Sequence, residues 1–242
     1  MMCLTRNLYC LCVISLCLLC SLCGLTNIAL AQSDEKPNTL TEYEQQAGFE
    51  LLFDGKTLSP EIWQNGIEGY PVEDGKFVCR QGGKLETKKK YKDFIFRFEF
   101  KLTQGGNNGV GVRYTGGGDP AYSGMEIQIL DHLDTKRYSD LNTYQRHGAI
   151  YGVVAPKQNP EKRDYLKPNG EWNVEEITAI GSYIKVVLNG ETILEADISQ
   201  FQGKETPDHK AHPGLNNAEG FISFLGHGDP IEFRSVRVKE LK

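Results

Sequence analysis

The chain of 242 residues carries 27 Lys and Arg against 32 Asp and Glu, so its formal net charge is −5. Apart from the triplet Lys88–Lys90 the basic residues are scattered, and they form no basic stripe interleaved with aromatic side chains. Such a stripe is typical of nucleic-acid-binding surfaces, so we expect no nucleic-acid partner. Six of the seven cysteines lie within the first 23 residues, which leaves Cys79 alone in the rest of the chain and excludes an internal disulfide there.

The first 31 residues have the layout of a secretory signal peptide. Arg6 precedes an apolar run over residues 8–30, and the small residues Ala29 and Ala31 stand before a polar segment that begins at Gln32. We therefore predict cleavage after Ala31 and export to the periplasm or the extracellular space. The mature protein is expected to have no membrane span.

Two alternatives to simple cleavage stay open. The apolar run approaches the length that spans a bilayer, so the leader could be retained as an anchor. A lipoprotein anchored at Cys20 or Cys23 is the second alternative. It is less favoured because bulky residues or a further cysteine precede each position, where small residues are usual.

Residues 32–242 are long enough for one well-packed domain, and we expect a single domain there. The first predicted element is a short helix. Thr41 and Glu44 have the spacing of a capping box, and Gly48 is the expected end of the helix.

After this helix the patterns are those of strands. Residues 94–102 alternate between apolar and polar side chains with strict period two, which predicts one long strand with a buried face. Asp74–Gly75 and Asn189–Gly190 predict tight hairpins. Sequential hairpins without alternating helices predict an all-β fold, a two-sheet antiparallel sandwich. Further strands are expected at residues 50–53, 149–154, 176–180, 220–225 and 231–240.

Two neighbouring strands present polar side chains. In residues 109–114 and 124–131, alternation places Arg113, Glu126 and Gln128 on faces opposite the Val and Ile side chains. A sheet that offers an acid, an amide and a guanidinium on one face suits a polyhydroxylated ligand. We therefore expect a sugar.

Three long irregular segments follow or join these strands, at residues 116–124, 131–146 and 155–170. Loops of this length commonly form the walls of a binding site. The alternative is that they are tolerated surface insertions.

Several segments taken in order resemble the 3-keto-disaccharide hydrolase family, which is built on a concanavalin-like jelly roll. The resemblance implies an enzyme that cleaves 3-keto-glycosides, working with a separate sugar 3-dehydrogenase that makes the ketone. The segments that carry it are residues 49–58 with Trp63, 108–113, 124–131, 148–152, 170–173 and 227–234.

The resemblance and the residue chemistry together suggest roles for individual side chains. Cleavage by elimination needs a base near C2, a proton donor near the leaving oxygen, and donors that stabilise the enolate. Glu126 and His227 are the predicted catalytic residues. The predicted substrate-binding residues are Arg113, Gln128, Asp131, His147 and Tyr151.

Each role has an alternative. Glu126 could form an ion pair with Arg113 across adjacent strands, and His227 could hydrogen-bond the backbone. The whole chain could be a non-catalytic, lectin-like carbohydrate-binding module, because fold alone does not decide activity. Trp63 and Trp172 are read as core residues, with stacking on a sugar ring as the other option.

No cofactor is firmly implied, and no metal ligand is assigned. A divalent cation such as calcium, held by Asp131, His132 and Asp134, is left open. His209 and His212 have a spacing seen in some zinc sites, but no third ligand is apparent in the sequence.

Overall fold

The computed structural model describes residues 36–242, so the predicted signal peptide lies outside the described part of the chain. Helix α1 spans Glu42–Ala47 and helix α2 spans Pro120–Ser123. The strands are β1 Glu50–Leu51, β2 Trp63–Gln64, β3 Val72–Glu73, β4 Lys76–Val78, β5 Gly83–Thr87, β6 Phe94–Lys101, β7 Asn107–Tyr114, β8 Met125–Leu130, β9 Trp172–Ile180, β10 Tyr183–Leu188, β11 Glu191–Asp197, β12 Phe221–Gly226 and β13 Glu232–Glu240.

The strands form two antiparallel sheets that face each other, as predicted. Sheet A has the order β11-β10-β9-β6-β13-β4-β3, and β1 also pairs with β13. Sheet B has the order β2-β5-β12-β7-β8. The result is a jelly-roll sandwich, and the all-β prediction is confirmed.

The core between the sheets is rich in aromatic rings. Phe98 and Phe233 from sheet A pack against Phe224 from sheet B, with ring centroids 5.6 and 4.4 Å apart. These side chains are fully buried, as is Trp63. Rings of this size each remove a large apolar area from water, so they supply much of the driving force that joins the two sheets.

Local sequence signals account for the turns and for α1. The Thr41 side chain accepts from the Glu44 backbone, and Glu44 accepts from the Thr41 backbone, which completes the predicted capping box. Gly48 ends the helix with φ +85°. Both predicted hairpins have positive φ at each turn residue, the geometry that Asn-Gly and Asp-Gly favour.

One local prediction is wrong, and one short helix was not predicted. Residues 149–154 do not form a strand: Ile150 makes isolated bridges to Ile127 and Val154, and the chain turns between them. Helix α2 was not expected, although Asp119 caps it and Pro120 occupies its first turn. Asp-Pro is a usable helix-start signal, but four residues are too few to show a helical period.

Cys79 is buried and unpaired, in agreement with the cysteine count. Neither helix within residues 36–242 is long and apolar enough to cross a membrane.

Candidate active site

A polar cleft lies on the outer side of sheet B, over strands β7 and β8. Its volume is about 310 Å³. Its floor comes from the two strands, and its walls come from α2, from the segment after β8 and from the end of β12. The lining residues are Asn107, Asp119, Ala121, Tyr122, Glu126, Gln128, Leu130, Tyr138, Leu141, Gln145, Tyr151 and His227.

Glu126 lies on the floor of this cleft. It projects from β8 on the face opposite Met125 and Ile127, which are buried in the core. The neighbouring strand gives it room, because Gly111 is its direct partner and a Cβ at Gly109 would overlap its carboxylate. The two glycines of β7 therefore form a depression into which the acid fits.

The Glu126 carboxylate is buried without a partner. Its exposure is 7 %, and within residues 36–242 no donor forms a hydrogen bond or ion pair with it. Burial, and secondarily the negative charge of Asp119, raise the pKa of Glu126 to about 8. A carboxyl group of this kind exchanges a proton near neutral pH, which is unusual for an acid outside a functional site.

Gln128 and Tyr151 lie beside it. The Gln128 Oε1 atom is buried and has no hydrogen-bond partner within residues 36–242. The Tyr151 hydroxyl oxygen accepts a hydrogen bond of 3.1 Å from Gln145 Nε2, which leaves its own proton available to a ligand. Both side chains therefore offer unsatisfied hydrogen-bonding capacity to the cleft.

His227 stands at the rim. It follows Gly226 at the end of β12 and precedes Gly228, whose φ is +88°. The ring is exposed, and it forms no hydrogen bond with any other residue in the described part of the chain. Glu126, Gln128, Tyr151 and His227 are thus brought together as the sequence predicts.

Arg113 does not reach the cleft, and its predicted placement is wrong. Strand β7 pairs with β12 at Gly111 and again at Tyr114, and between these two positions β7 has one residue more than β12. Arg113 lies in this stretch and has a positive φ of +52°. This bulge breaks the alternation. The guanidinium donates to the carbonyl oxygens of Lys92 and Gly181 and contacts Asp93, so it ties two loops together.

Asp131 and His147 also lie away from the cleft. Asp131 Oδ2 accepts from the backbone N–H of Gly105 and from Asn169. His147 is buried between the sheets, where its Nε2 lies 3.0 Å from Glu175 Oε2. Asp131 thus joins two loops, and His147 Nδ1 accepts from the backbone N–H of Leu130, so neither side chain faces the cleft.

The walls contain residues that the sequence reading did not single out. Asp119, Ala121 and Tyr122 come from the first predicted loop, and Tyr138, Leu141 and Gln145 come from the second. The loop at residues 155–170 contributes none of the described lining residues. Neither tryptophan lines the cleft: Trp63 is in the core, and Trp172 packs under Arg234 on sheet A.

The residues considered as metal ligands point to different partners. His132 bonds Asp164, Asp131 bonds Asn169, and Asp134 accepts from the backbone N–H of Lys136. His209 contacts Glu205, whereas His212 contacts Asp208. Among residues 36–242 no group of three or more His, Cys, Asp or Glu side chains could hold a metal ion.

The fold and the cleft together define a jelly-roll protein with an open, polar binding site on the outer side of one sheet. Two crystal structures from Parabacteroides distasonis, each titled a "putative glycosyl hydrolase", have similar folds. One superposes with a TM-score of 0.69 at 25% identity and covers 86% of this chain and all of its own. The other has a TM-score of 0.68 at 31% identity, with 80% of this chain and 99% of its own covered.

The particular family follows from the sequence match. Residues 48–239 match the model of the 3-keto-alpha-glucoside-1,2-lyase-like domain, and the chain belongs to this family. It is also 30% identical, over a 240-residue alignment, to a 3-keto-disaccharide hydrolase of Bacteroides thetaiotaomicron, with 80% of this chain and 79% of the relative covered. The predicted family is confirmed.

Proposed function

We propose that the protein is an exported enzyme that cleaves 3-keto-glycosides by elimination across C1–C2, followed by hydration. Family membership and the name of the Bacteroides relative support a sugar-cleaving activity on oxidised substrates. One observation carries the proposal furthest: a buried carboxyl group that has no partner among the described residues, with its pKa raised to about 8, on the floor of a polar cleft. The same cleft holds a histidine at its rim.

The first step is removal of the C2 proton by the Glu126 carboxylate. The C3 ketone acidifies this hydrogen, and the electron pair of the C–H bond moves to form an enolate. A base with a pKa near the working pH has the strength for such a step while still being present in its ionised form. Burial supplies that pKa here.

In the second step the enolate electrons form the C1=C2 double bond and expel the glycosidic oxygen from C1. His227 gives a proton to this oxygen, which leaves as an alcohol. Water then adds to the enone at C1 and yields the free 3-keto sugar. Gln128 and Tyr151 bind hydroxyl groups of the ring and orient C2 toward Glu126.

The ketone must come from another enzyme. Nothing in an elimination of this kind oxidises the sugar, so a separate sugar 3-dehydrogenase has to act first. This requirement separates the proposed reaction from ordinary glycoside hydrolysis, in which two carboxyl groups at a set distance act on the unoxidised sugar.

Product analysis tests the proposal. Purified protein is incubated with a 3-keto-disaccharide and, separately, with its unoxidised parent, each with EDTA and with added Ca²⁺. We expect release of the leaving sugar from the keto substrate alone. Equal cleavage of both sugars would indicate a conventional glycosidase. Binding of both without turnover under every metal condition would indicate a carbohydrate-binding module.

Export is tested separately. Cleavage after Ala31 predicts that N-terminal sequencing of the exported protein begins at Gln32. Lipid-modified protein that begins at Cys20 or Cys23 would contradict this part of the proposal.

A further inference from the structure

Enolate formation places negative charge on the C3 oxygen, and a donor must face that atom. Arg113, which the sequence analysis predicts to bind the substrate, is engaged elsewhere. Another group in the cleft has a positively charged environment. It is Tyr122, on the wall formed by α2.

Tyr122 accepts a hydrogen bond from a cation. Lys210 Nζ lies 2.8 Å from the Tyr122 hydroxyl oxygen, and 5.1 Å from the centre of its ring. This hydrogen bond raises the pKa of Lys210, so the side chain stays an ammonium group. An ammonium group has no acceptor, so the tyrosine's own proton must point elsewhere, and a ligand in the cleft can accept it.

A histidine packs against the same ring. His212 lies with its ring centre 4.9 Å from that of Tyr122. Its Nδ1 is 3.2 Å from the carbonyl oxygen of Ala121, and its Nε2 is 3.1 Å from both carboxylate oxygens of Asp208. Both ring nitrogens face acceptors.

Asp208 is held in its ionised form. Burial acts to raise its pKa, but hydrogen bonds from Thr206, from the Lys210 backbone and from His212 outweigh this and lower it. The contacts with Asp208 and with the carbonyl oxygen of Ala121 therefore hold the His212 ring in place against Tyr122.

Hydrogen bonds attach the segment that carries Lys210 and His212 to the cleft. Thr206 donates to Asp208 and to the carbonyl oxygen of Lys210, and the Lys210 backbone donates to Asp208. The Asp208 backbone donates to Gly152, next to Tyr151. The segment at residues 206–212 therefore fixes two walls of the cleft and holds Lys210 over Tyr122.

We propose that the Tyr122 hydroxyl, supported by Lys210 and His212, is the donor that binds the C3 carbonyl oxygen and stabilises the enolate. The inference rests on the proposed elimination. As the C2 proton moves to Glu126, the growing charge on O3 draws the Tyr122 proton closer. Lys210 stabilises the charge that appears on the phenol oxygen, and His212 holds the ring in position. Tyr122 is then a catalytic residue, and Lys210 and His212 are positioning residues.

The test isolates enolate formation from bond cleavage. A 3-keto-1,5-anhydrohexitol has no glycosidic oxygen at C1, so proton transfer at C2 occurs without glycosidic cleavage, and NMR follows the exchange of the C2 hydrogen for deuterium from D₂O. We expect Tyr122→Phe to lower the turnover number for exchange about 10²- to 10³-fold, the usual effect of removing one oxyanion donor, with KM changed far less.

Lys210 variants test the charge. Lys210→Met should slow exchange about tenfold, because a charge-assisted hydrogen bond is roughly twice as strong as a neutral one, and Lys210→Arg should restore most of the rate. Lys204→Met and Tyr43→Phe, on exposed side chains of the same types, are the matched controls and should exchange at the wild-type rate. Unchanged melting temperatures show that the variants fold.

The outcomes separate this inference from the proposed function. A wild-type protein that neither exchanges C2 hydrogen nor cleaves a 3-keto-disaccharide overturns both. A wild-type protein that does both, with Tyr122→Phe equally active or impaired only in KM, overturns the role of Tyr122 alone. Equal rates for Lys210→Met and the wild type overturn the role of the cation.

Discussion

Two buried glutamates, one on the outer side of each sheet, differ in whether a positively charged side chain compensates the carboxyl group for its lost hydration. Glu44, in α1 against sheet A, is 3 % exposed, and Arg97 and Arg237 lie 2.7 and 2.9 Å from its Oε1 atom. Glu126, on sheet B, is 7 % exposed and is contacted by no cation in residues 36–242.

The difference separates a structural acid from a functional one. Ion pairs and the capping-box hydrogen bond compensate Glu44 for its lost hydration. Glu126 has no such partner within residues 36–242, so burial acts on its pKa unopposed, and ionising this carboxyl group costs the folded state free energy. Because Glu126 destabilises the fold and faces the cleft, we explain its presence by its action on a ligand.

The largest expected effect is on turnover. Glu126→Gln keeps the size of the side chain but removes the ionisable group, so we expect turnover of a 3-keto-disaccharide to fall about 10²- to 10⁴-fold with far less change in binding. Glu44→Gln should leave turnover per folded molecule unchanged and instead destabilise the protein, because two buried guanidinium groups lose their carboxylate. Steady-state kinetics and urea unfolding measure the two quantities. Near-normal turnover in Glu126→Gln would show that the base lies elsewhere.

The next effect is a pH dependence. Glu126 acts as a base only when ionised, and its pKa is raised to about 8 by burial and by Asp119. Below pH 8 the ionised fraction of Glu126 increases about tenfold for each unit that the pH rises. We therefore expect kcat/KM to rise about tenfold per pH unit and to level off near pH 8. Asp119→Asn should move the rise to lower pH. A profile that falls across this range would mean that the protonated form of Glu126 acts as the acid instead.

Stability should show the same titration with the opposite sign. Between the usual pKa of 4.5 and about 8, folded Glu126 holds a proton that the unfolded chain has released, so its contribution to stability falls as pH rises through this window. Glu126→Gln removes the titration. The variant should match the wild type near pH 4 and exceed it by on the order of a few kcal/mol at pH 9. Urea midpoints at both pH values measure this, and equal midpoints at pH 9 would contradict an unpaired buried carboxylate.

The sequence was sufficient for the features that depend on local periodicity. Period two across β6 and β8 placed their core faces and put Glu126 and Gln128 together, and the Asn-Gly and Asp-Gly pairs predicted their hairpins. These features follow from steric rules that act over a few residues, so a single chain reveals them.

The remaining features depend on contacts between distant segments. A bulge is specified by how β7 and β12 fit together, so the sequence of β7 alone gave no reason to turn Arg113 away from the cleft. Likewise, Lys210 lies 88 residues from Tyr122 in the chain, and no local pattern predicts their hydrogen bond. Residues 149–154 have the apolar content of a strand, but they form a turn in which Ile150 bridges to Ile127 of β8 and to Val154.

The smallest expected effect concerns Arg113, a buried charged side chain that, like Glu44, is paired with other groups of the protein. Arg113→Ala removes a buried guanidinium that donates to the carbonyl oxygens of Lys92 and Gly181, so we expect a loss of about 2 kcal/mol in unfolding free energy. Catalysis per folded molecule should change little, because the guanidinium does not face the cleft. Arg80→Ala is the matched control: Arg80 forms an exposed ion pair with Glu73, and its loss should cost less than about 1 kcal/mol. Urea unfolding compares the two variants. A large rise in KM for Arg113→Ala without a loss of stability would place Arg113 on the substrate after all, and the division between paired and unpaired charges would then fail at this position.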